Sequence, residues 1–238
     1  MKKKLIIADD NLEFSTNLFN YLKSNNKFID VMAIAGDGEK TLNLVEQLDP
    51  DILLLDLKMP KKNGIELLQS LNKRDVIVIL ISGEISMINE INIFDFKVIK
   101  KIYIKPFNFK ALNIELINIY EENAVQEIKK SIEYELSCFN FNKNSKGYKY
   151  LIDCVDFCFY EPQLLNNMEN KLFFKVSQKN NIKNNKEIKW SIQKTLTSME
   201  RYTDTATILK YFPYTKNPTL KTFISEISEI IIKKYKKY

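Results

Sequence analysis

The chain has no histidine among its 238 residues. That excludes Ser-His and Cys-His nucleophilic centres and every histidine-ligated metal. Side-chain chemistry is left to Asp, Glu, Lys, Tyr, Ser and Thr. The three cysteines, Cys138, Cys154 and Cys158, make no metal or redox spacing. Cys154 and Cys158 stand four apart beside Leu151 and Val155 on the apolar face of a predicted helix, where reduced core thiols are expected. Glycine is scarce, and the second half of the sequence has neither a glycine loop nor an acid/base cluster. No apolar run approaches bilayer length. The first run stops at Asp9, too early for a signal peptide, so a cytoplasmic protein with no membrane partner is expected.

What is present suffices for two modest domains, each with its own core. Charge is uneven: residues 1–124 hold 16 basic against 18 acidic side chains, and 125–238 hold 20 against 12. An acidic half joined to a basic half is the asymmetry of a control domain attached to a nucleic-acid or acidic-surface binder.

Ile52 to Leu55 are four consecutive apolar residues that run into Asp56 and then a Lys-Met-Pro-Lys-Lys-Asn-Gly loop. Such a run reads as a strand buried on both faces, with Pro60 and Asn63-Gly64 ending it. Lys4–Ala8, Phe28–Ala35, Val76–Ile81 and Val98–Ile104 read as further strands. Leu12–Leu22, Thr41–Leu48, Ile65–Leu71 and Phe109–Tyr120 read as helices. Five βα units predict a parallel sheet covered by helices on both faces. Asp9 and Asp10, Asp56, Ser82 and Lys105 then follow the first, third, fourth and fifth strands. In a parallel sheet those ends share one edge, where ligands bind in open α/β folds. Three clustered carboxylates repel unless a divalent cation sits among them, and hard oxygen ligands suit Mg²⁺. Lys105 and the Ser82 hydroxyl offer donors to an anion such as a phosphoryl group. The chemistry permitted is attack by a carboxylate on a phosphoryl donor, giving an aspartyl phosphate. The plainer alternative for Asp56 is a carboxylate that ends its strand and bonds loop amides.

The stretches ADDN at 8–11, PDILLLDLKMPKKNG at 50–64, ILISG at 79–83 and KPF at 105–107 resemble the receiver domain of two-component response regulators. The resemblance implies a flavodoxin-like (βα)5 fold, with Asp56 as phosphoacceptor. It makes Asp9, Asp10, Asp56 and the Lys58 carbonyl Mg²⁺ ligands, and Ser82 and Lys105 contacts of the phosphoryl oxygens. The implied donor is a histidine kinase or a histidine phosphotransfer protein. There are two departures from the family's pattern. Phe96–Lys101 lacks the usual Gly-Ala pair, and the aromatic Tyr103 stands two before Lys105, with Ile102 at the expected place. Strand alternation turns a residue shifted by one to the opposite face.

Glu121–Ala124 reads as a brief linker that runs on from the preceding helix, dividing a receiver over 1–122 from an all-α domain over 126–238. About six helices are expected there: one through Ile128, Ile132, Leu136 and Phe139, then Tyr148–Tyr160, Leu164–Met168, Leu172–Val176, Ile188–Met199 and Leu220–Ile232. Lys171–Gln178, a polar turn and Asn185–Arg201 fit a helix-turn-helix. In its second helix Ile188, Ile192, Leu196 and Met199 form one stripe. Asn185, Lys186, Lys189, Gln193 and Lys194 are the candidates for DNA contact, since Lys reads guanine and Asn or Gln adenine. A solvated basic face on an ordinary bundle fits the same pattern, and Trp190 buried against the first helix is the structural alternative for that residue.

Lys146-Gly147-Tyr148, Tyr150-Leu151, the helix through Tyr160 and the Ile188, Ile192, Leu196 pattern resemble the effector domain of the stage-zero sporulation regulators. That resemblance implies binding to duplex DNA as a phosphorylation-induced homodimer, with RNA polymerase as a further partner. The family's recognition helix is richer in Arg. The closing Lys233–Tyr238 is a basic tail. The expectation is a non-enzymatic, phosphorylation-activated transcription regulator; the alternative is a receiver whose helical output binds a protein or RNA.

Overall fold

The computed structural model describes residues 2–83, 85–90 and 95–235. The chain divides into two compact units, Met1–Glu122 and Asn123–Tyr238.

The first unit is built on β1 (Lys3–Ala8), β2 (Ile29–Ala35), β3 (Ile52–Leu55), β4 (Ile77–Ser82) and β5 (Ile99–Ile104). All pair in parallel, in the order β2-β1-β3-β4-β5. Their carboxyl ends therefore lie on one edge. Alternate residues of the central strands feed two apolar layers. Ile6, Leu53, Leu55 and Leu80 pack with Val45 of α2 (Gly38–Leu48) and Leu67 and Leu71 of α3 (Gly64–Leu71). Leu5, Ile7, Leu54 and Ile81 pack with Leu18 of α1 (Leu12–Asn25) and Leu112 and Leu116 of α5 (Phe109–Ser137). Uniformly apolar strands are what a sheet covered on both faces requires. Asn11, Asp37 and Asn63 cap α1, α2 and α3 by accepting a backbone N–H with their side chains, so each helix starts directly behind the carboxyl edge.

Some expectations are corrected. The sequence left residues 83–98 without a helix, but Ile85–Glu90 forms α4, six residues long. The linker at Glu121–Ala124 does run on from the helix at 109–120, and it continues into the helix from 128 as one α5, because it carries no proline or glycine to stop it. β5 is an edge strand with Lys100 and Lys101 exposed, paired to Glu122 and Glu115. Lysine on an edge strand discourages pairing with another sheet. Tyr103 lies on the α1/α5 face, 5.0 Å from Phe107, and its hydroxyl donates to the Ala111 carbonyl, whereas Ile102 joins the opposite layer, which Met87 and Ile88 also pack against.

The second unit is helical. At its centre α6 (Lys146–Tyr160) packs on α8 (Asn185–Tyr202) and α10 (Leu220–Tyr235). Its core includes Phe139, Leu151, Val155, Ile188, Ile192 and Phe223, with Cys154 and Cys158 buried as free thiols. Burial pushes the Cys158 thiol up to about 12, so it stays protonated and inert. The helix expected at Leu172–Val176 forms as α7 (Phe173–Lys179), whereas that expected at Leu164–Met168 is instead a 3-10 turn over Pro162–Asn167 followed by a π turn over Met168–Leu172. A further helix, α9 (Thr205–Tyr211), was not foreseen; Asp204 caps it by accepting from the Thr207 N–H. Of the basic tail, Lys234 donates to Ser131 and Tyr235 to the Glu127 carbonyl, and 236–238 lie outside the described residues. Among the described residues no helix is long and apolar enough to cross a membrane.

Gly147 is required by the crossing of α6 over α8. A Cβ there would lie 2.1 Å from the Ser191 carbonyl oxygen and 2.2 Å from Thr195 Oγ1. Gly147→Ala is expected to destabilise the helical unit by about 1–3 kcal/mol through overpacking. Native-state hydrogen exchange should show faster exchange of α6 and α8 amides; unchanged protection would mean the two helices separate at no cost.

Candidate functional site

Asp9 and Asp10 follow β1, Asp56 follows β3, and Lys105 follows β5. The sheet brings all four to its carboxyl edge. One carboxylate oxygen from each aspartate lies within 4.8 Å of the others. Asp9 and Asp56 are buried and Asp10 is exposed. Lys105 Nζ stands between the buried pair, 2.6 Å from Asp9 Oδ2 and 2.6 Å from Asp56 Oδ2. The other oxygens accept backbone donors: the Asn11 N–H reaches Asp9 Oδ1 at 3.0 Å, and the Lys58 N–H reaches Asp56 Oδ1 at 3.1 Å. The Lys105 N–H donates to the Ser82 carbonyl at 2.9 Å, which ties the β5 and β4 ends together. Ser82 itself is buried at the same edge.

Burial raises the Asp9 carboxyl above its ordinary value, while the Lys105 hydrogen bond and charge pull it down. Burial also opposes the Lys105 ammonium, but hydrogen bonds and charge from Asp56 and Asp9 outweigh it and raise the lysine's pKa. The site is thus negative, desolvated and already compensated by one cation. Three convergent carboxylates, one open to solvent, are a hard oxygen donor set suited to Mg²⁺.

Three supports were not singled out from sequence. Asn11 caps α1 and donates to Asp9; an Asn after the acidic pair was its signal. Phe14 lies under the ammonium, with Lys105 Nζ 4.6 Å from its ring centroid. Gly64 lets α3 approach the site: a Cβ would lie 2.7 Å from the Asp56 carbonyl oxygen.

In the helical unit, α7 and α8 are joined by a short turn. Ile188, Ile192, Leu196 and Met199 are buried. The proposed contact residues separate into two groups. Lys186, Gln193 and Lys194 are exposed on one stripe, with Trp190 in its middle, 62% exposed rather than buried against α7. Lys189 is paired with Glu169 at 2.5 Å, and Asn185 donates to the Glu169 carbonyl at 3.3 Å, so both are held against the preceding turn.

Replacing Lys105 tests the compensation. A carboxyl whose pKa is raised on folding contributes stability below its unfolded value of about 3.9 and loses it as pH rises through the folded value. Lys105→Ala removes what holds Asp9 down, so the variant should lose about 3 kcal/mol at pH 7.5. The gap from the parent should narrow towards pH 5, and added Mg²⁺ should close part of it. Thermal unfolding at both pH values measures this; a pH-independent gap would mean lost packing rather than lost charge.

Comparison with known proteins agrees with the division into units. Residues 5–117 match the family "Response regulator receiver domain", and residues 132–234 match "Sporulation initiation factor Spo0A C terminal". The transcriptional regulatory protein DegU of Brevibacillus brevis is 37% identical over 83 residues, 34% of this chain and 35% of that protein. A protein-glutamate methylesterase/protein-glutamine glutaminase of Oceanobacillus iheyensis is 37% identical over 84 residues, 35% of this chain and 24% of that protein. The chain therefore spans only about a quarter to a third of the length of these curated relatives. Among solved structures, the REC domain of AraT, a response regulator from Geobacillus stearothermophilus, covers 53% of this chain and 99% of its own at 23% identity, with a TM-score of 0.49. Both matched domains are regulatory rather than catalytic in type. A response regulator receiver domain followed by a Spo0A C-terminal domain is an arrangement that matches a Spo0A-like response regulator.

Proposed function

We propose that this chain is a phosphorylation-activated, DNA-binding transcription regulator acting in sporulation, in the cytoplasm. The observation that carries it is the Asp9–Lys105–Asp56 arrangement beside Asp10, in a chain whose other unit presents a basic helix face. Asp56 is the phosphoacceptor. One of its carboxylate oxygens attacks the phosphorus of a phosphohistidine on a histidine kinase or phosphotransfer protein. The P–N bond breaks as the O–P bond forms, and the leaving imidazole takes up a proton. Asp9, Asp10, Asp56 and the Lys58 carbonyl would hold Mg²⁺, which would neutralise charge on the phosphoryl oxygens when bound.

Lys105 now divides its ammonium between two carboxylates. Once Asp56 is esterified, Lys105 and the Ser82 hydroxyl serve the phosphoryl oxygens, and the loops after β4 and β5 follow. With Ile102 rather than Tyr103 on the layer that Met87 and Ile88 also pack against, this readout runs through Ser82 and its loop rather than through an aromatic of β5. The altered receiver surface then pairs two chains, placing two α8 helices on neighbouring half-sites of duplex DNA. RNA polymerase would be met at the promoter. Lys186, Gln193 and Lys194 are the exposed contact residues; Lys189 and Asn185 fix the turn through Glu169.

Two outcomes test the reading. Asp56→Asn should abolish phosphoryl incorporation from a small phosphoryl donor with Mg²⁺, and with it any donor-dependent gain in duplex affinity. Donor-independent binding in the parent would sink the switch and keep the DNA reading. Lys186→Ala should weaken binding to all duplexes alike and reduce the slope of log affinity against log salt by about 1. No duplex binding by the parent under any condition would shift the reading to a protein or RNA partner.

A further inference from the structure

The residue at the centre of the exposed α8 stripe is not one that pairs with phosphate. Trp190 is the chain's single tryptophan and is 62% exposed, although an indole gains more from burial than almost any side chain. The core does not need it, because Ile188, Ile192, Leu196 and Met199 fill the inner face of α8. The indole stands between two surface hollows. One is bounded by Gln193, Thr197, Pro218 and Leu220, the other by Ser145, Lys146 and Thr195. It is a ridge rather than a pocket floor, a shape suited to entering a groove. Lys194 Nζ lies 5.2 Å from the ring centroid, so a cation is held beside the apolar surface.

From this arrangement we infer that Trp190 is a specificity-determining residue of α8 that packs against the 5-methyl group of a thymine in the major groove, with Lys194 as the donor next to it. The inference rests on the DNA-binding reading above. An indole has one N–H donor and no acceptor, so it cannot make the bidentate pairs that distinguish guanine or adenine. What its face matches among major-groove edges is the thymine methyl. Duplex DNA is the occupant favoured by charge: Lys194 lies beside the ring, Lys186 is exposed one helical turn before it, and residues 125–238 carry 20 basic against 12 acidic side chains.

Because the chain has one tryptophan, its fluorescence reports this position alone. The full-length protein, treated with a small phosphoryl donor and Mg²⁺, would select binders from a random 30-base-pair duplex pool. Anisotropy of a labelled selected duplex measures binding without reference to Trp190. Acrylamide quenching of tryptophan emission measures whether the ring is covered. The duplex should lower quenching several-fold. Replacing one particular thymine by uracil, which removes only the methyl, should weaken the parent about 3–5-fold, the value of one apolar carbon. Trp190→Ala should bind more weakly and be indifferent to that replacement, with its circular dichroism unchanged.

Duplex binding with quenching unaltered, or with no thymine sensitive to uracil, overturns the inference and leaves the DNA reading standing. Failure to select any duplex overturns both.

Discussion

The receiver site depends on one ammonium group held between two buried carboxylates. Asp9 and Asp56 come from separate strands, and the sheet forces them close. Without Lys105 their like charges and their desolvation would both oppose folding at neutral pH. With it, each carboxylate has a cation at 2.6 Å and a backbone donor on its remaining oxygen. The same bond that makes the site foldable makes it responsive. A change of charge on Asp56 alters what Lys105 is balanced against, and Lys105 is tied through its backbone to Ser82.

This dependence explains which parts were legible in the sequence. The stretches Leu5–Ala8 of β1, Ile52–Leu55 of β3 and Ile77–Ile81 of β4 are uniformly apolar because both faces are covered, and a four-residue apolar run ending in Asp has few other readings. Strand ends then fix the site, since a parallel sheet puts them on one edge. What was not legible lies where a local pattern is short or carries no stop. α4 is six residues, below the length at which helical periodicity declares itself. The run of α5 through Glu121–Ala124 was visible only as the absence of a break. Asn11 and Phe14 escaped because their role comes from Asp9 and Lys105, which are neighbours in space and, for Lys105, far away in sequence.

The helical unit shows a different limit. Reading the polar side chains of α8 gave five contact candidates, three lysines and two amides, but side-chain type alone does not say which are already paired. Lys189 and Asn185 are both engaged by Glu169, so part of the apparent contact face is tied to the π turn that precedes α7. An exposed ion pair contributes little to stability; its effect here is orientation. The glycine at 147 belongs to the same scaffold. By admitting the Ser191 carbonyl and Thr195 into contact with α6, it sets how far α8 stands out from its unit.

The β5 strand shows the register rule acting on function. Moving the aromatic by one position sends Tyr103 into the cluster of Phe14, Phe107 and Phe109. Phe14 is also the ring beneath the Lys105 ammonium. An aromatic on the α4 side of the sheet would report on that face. Here the aromatic mass of β5 is instead connected, through Phe107 and Phe14, to the floor of the charged site. The one-residue shift places Tyr103 in a packing chain that runs through Phe107 and Phe14 and ends under Lys105, while Ile102 takes the opposite layer.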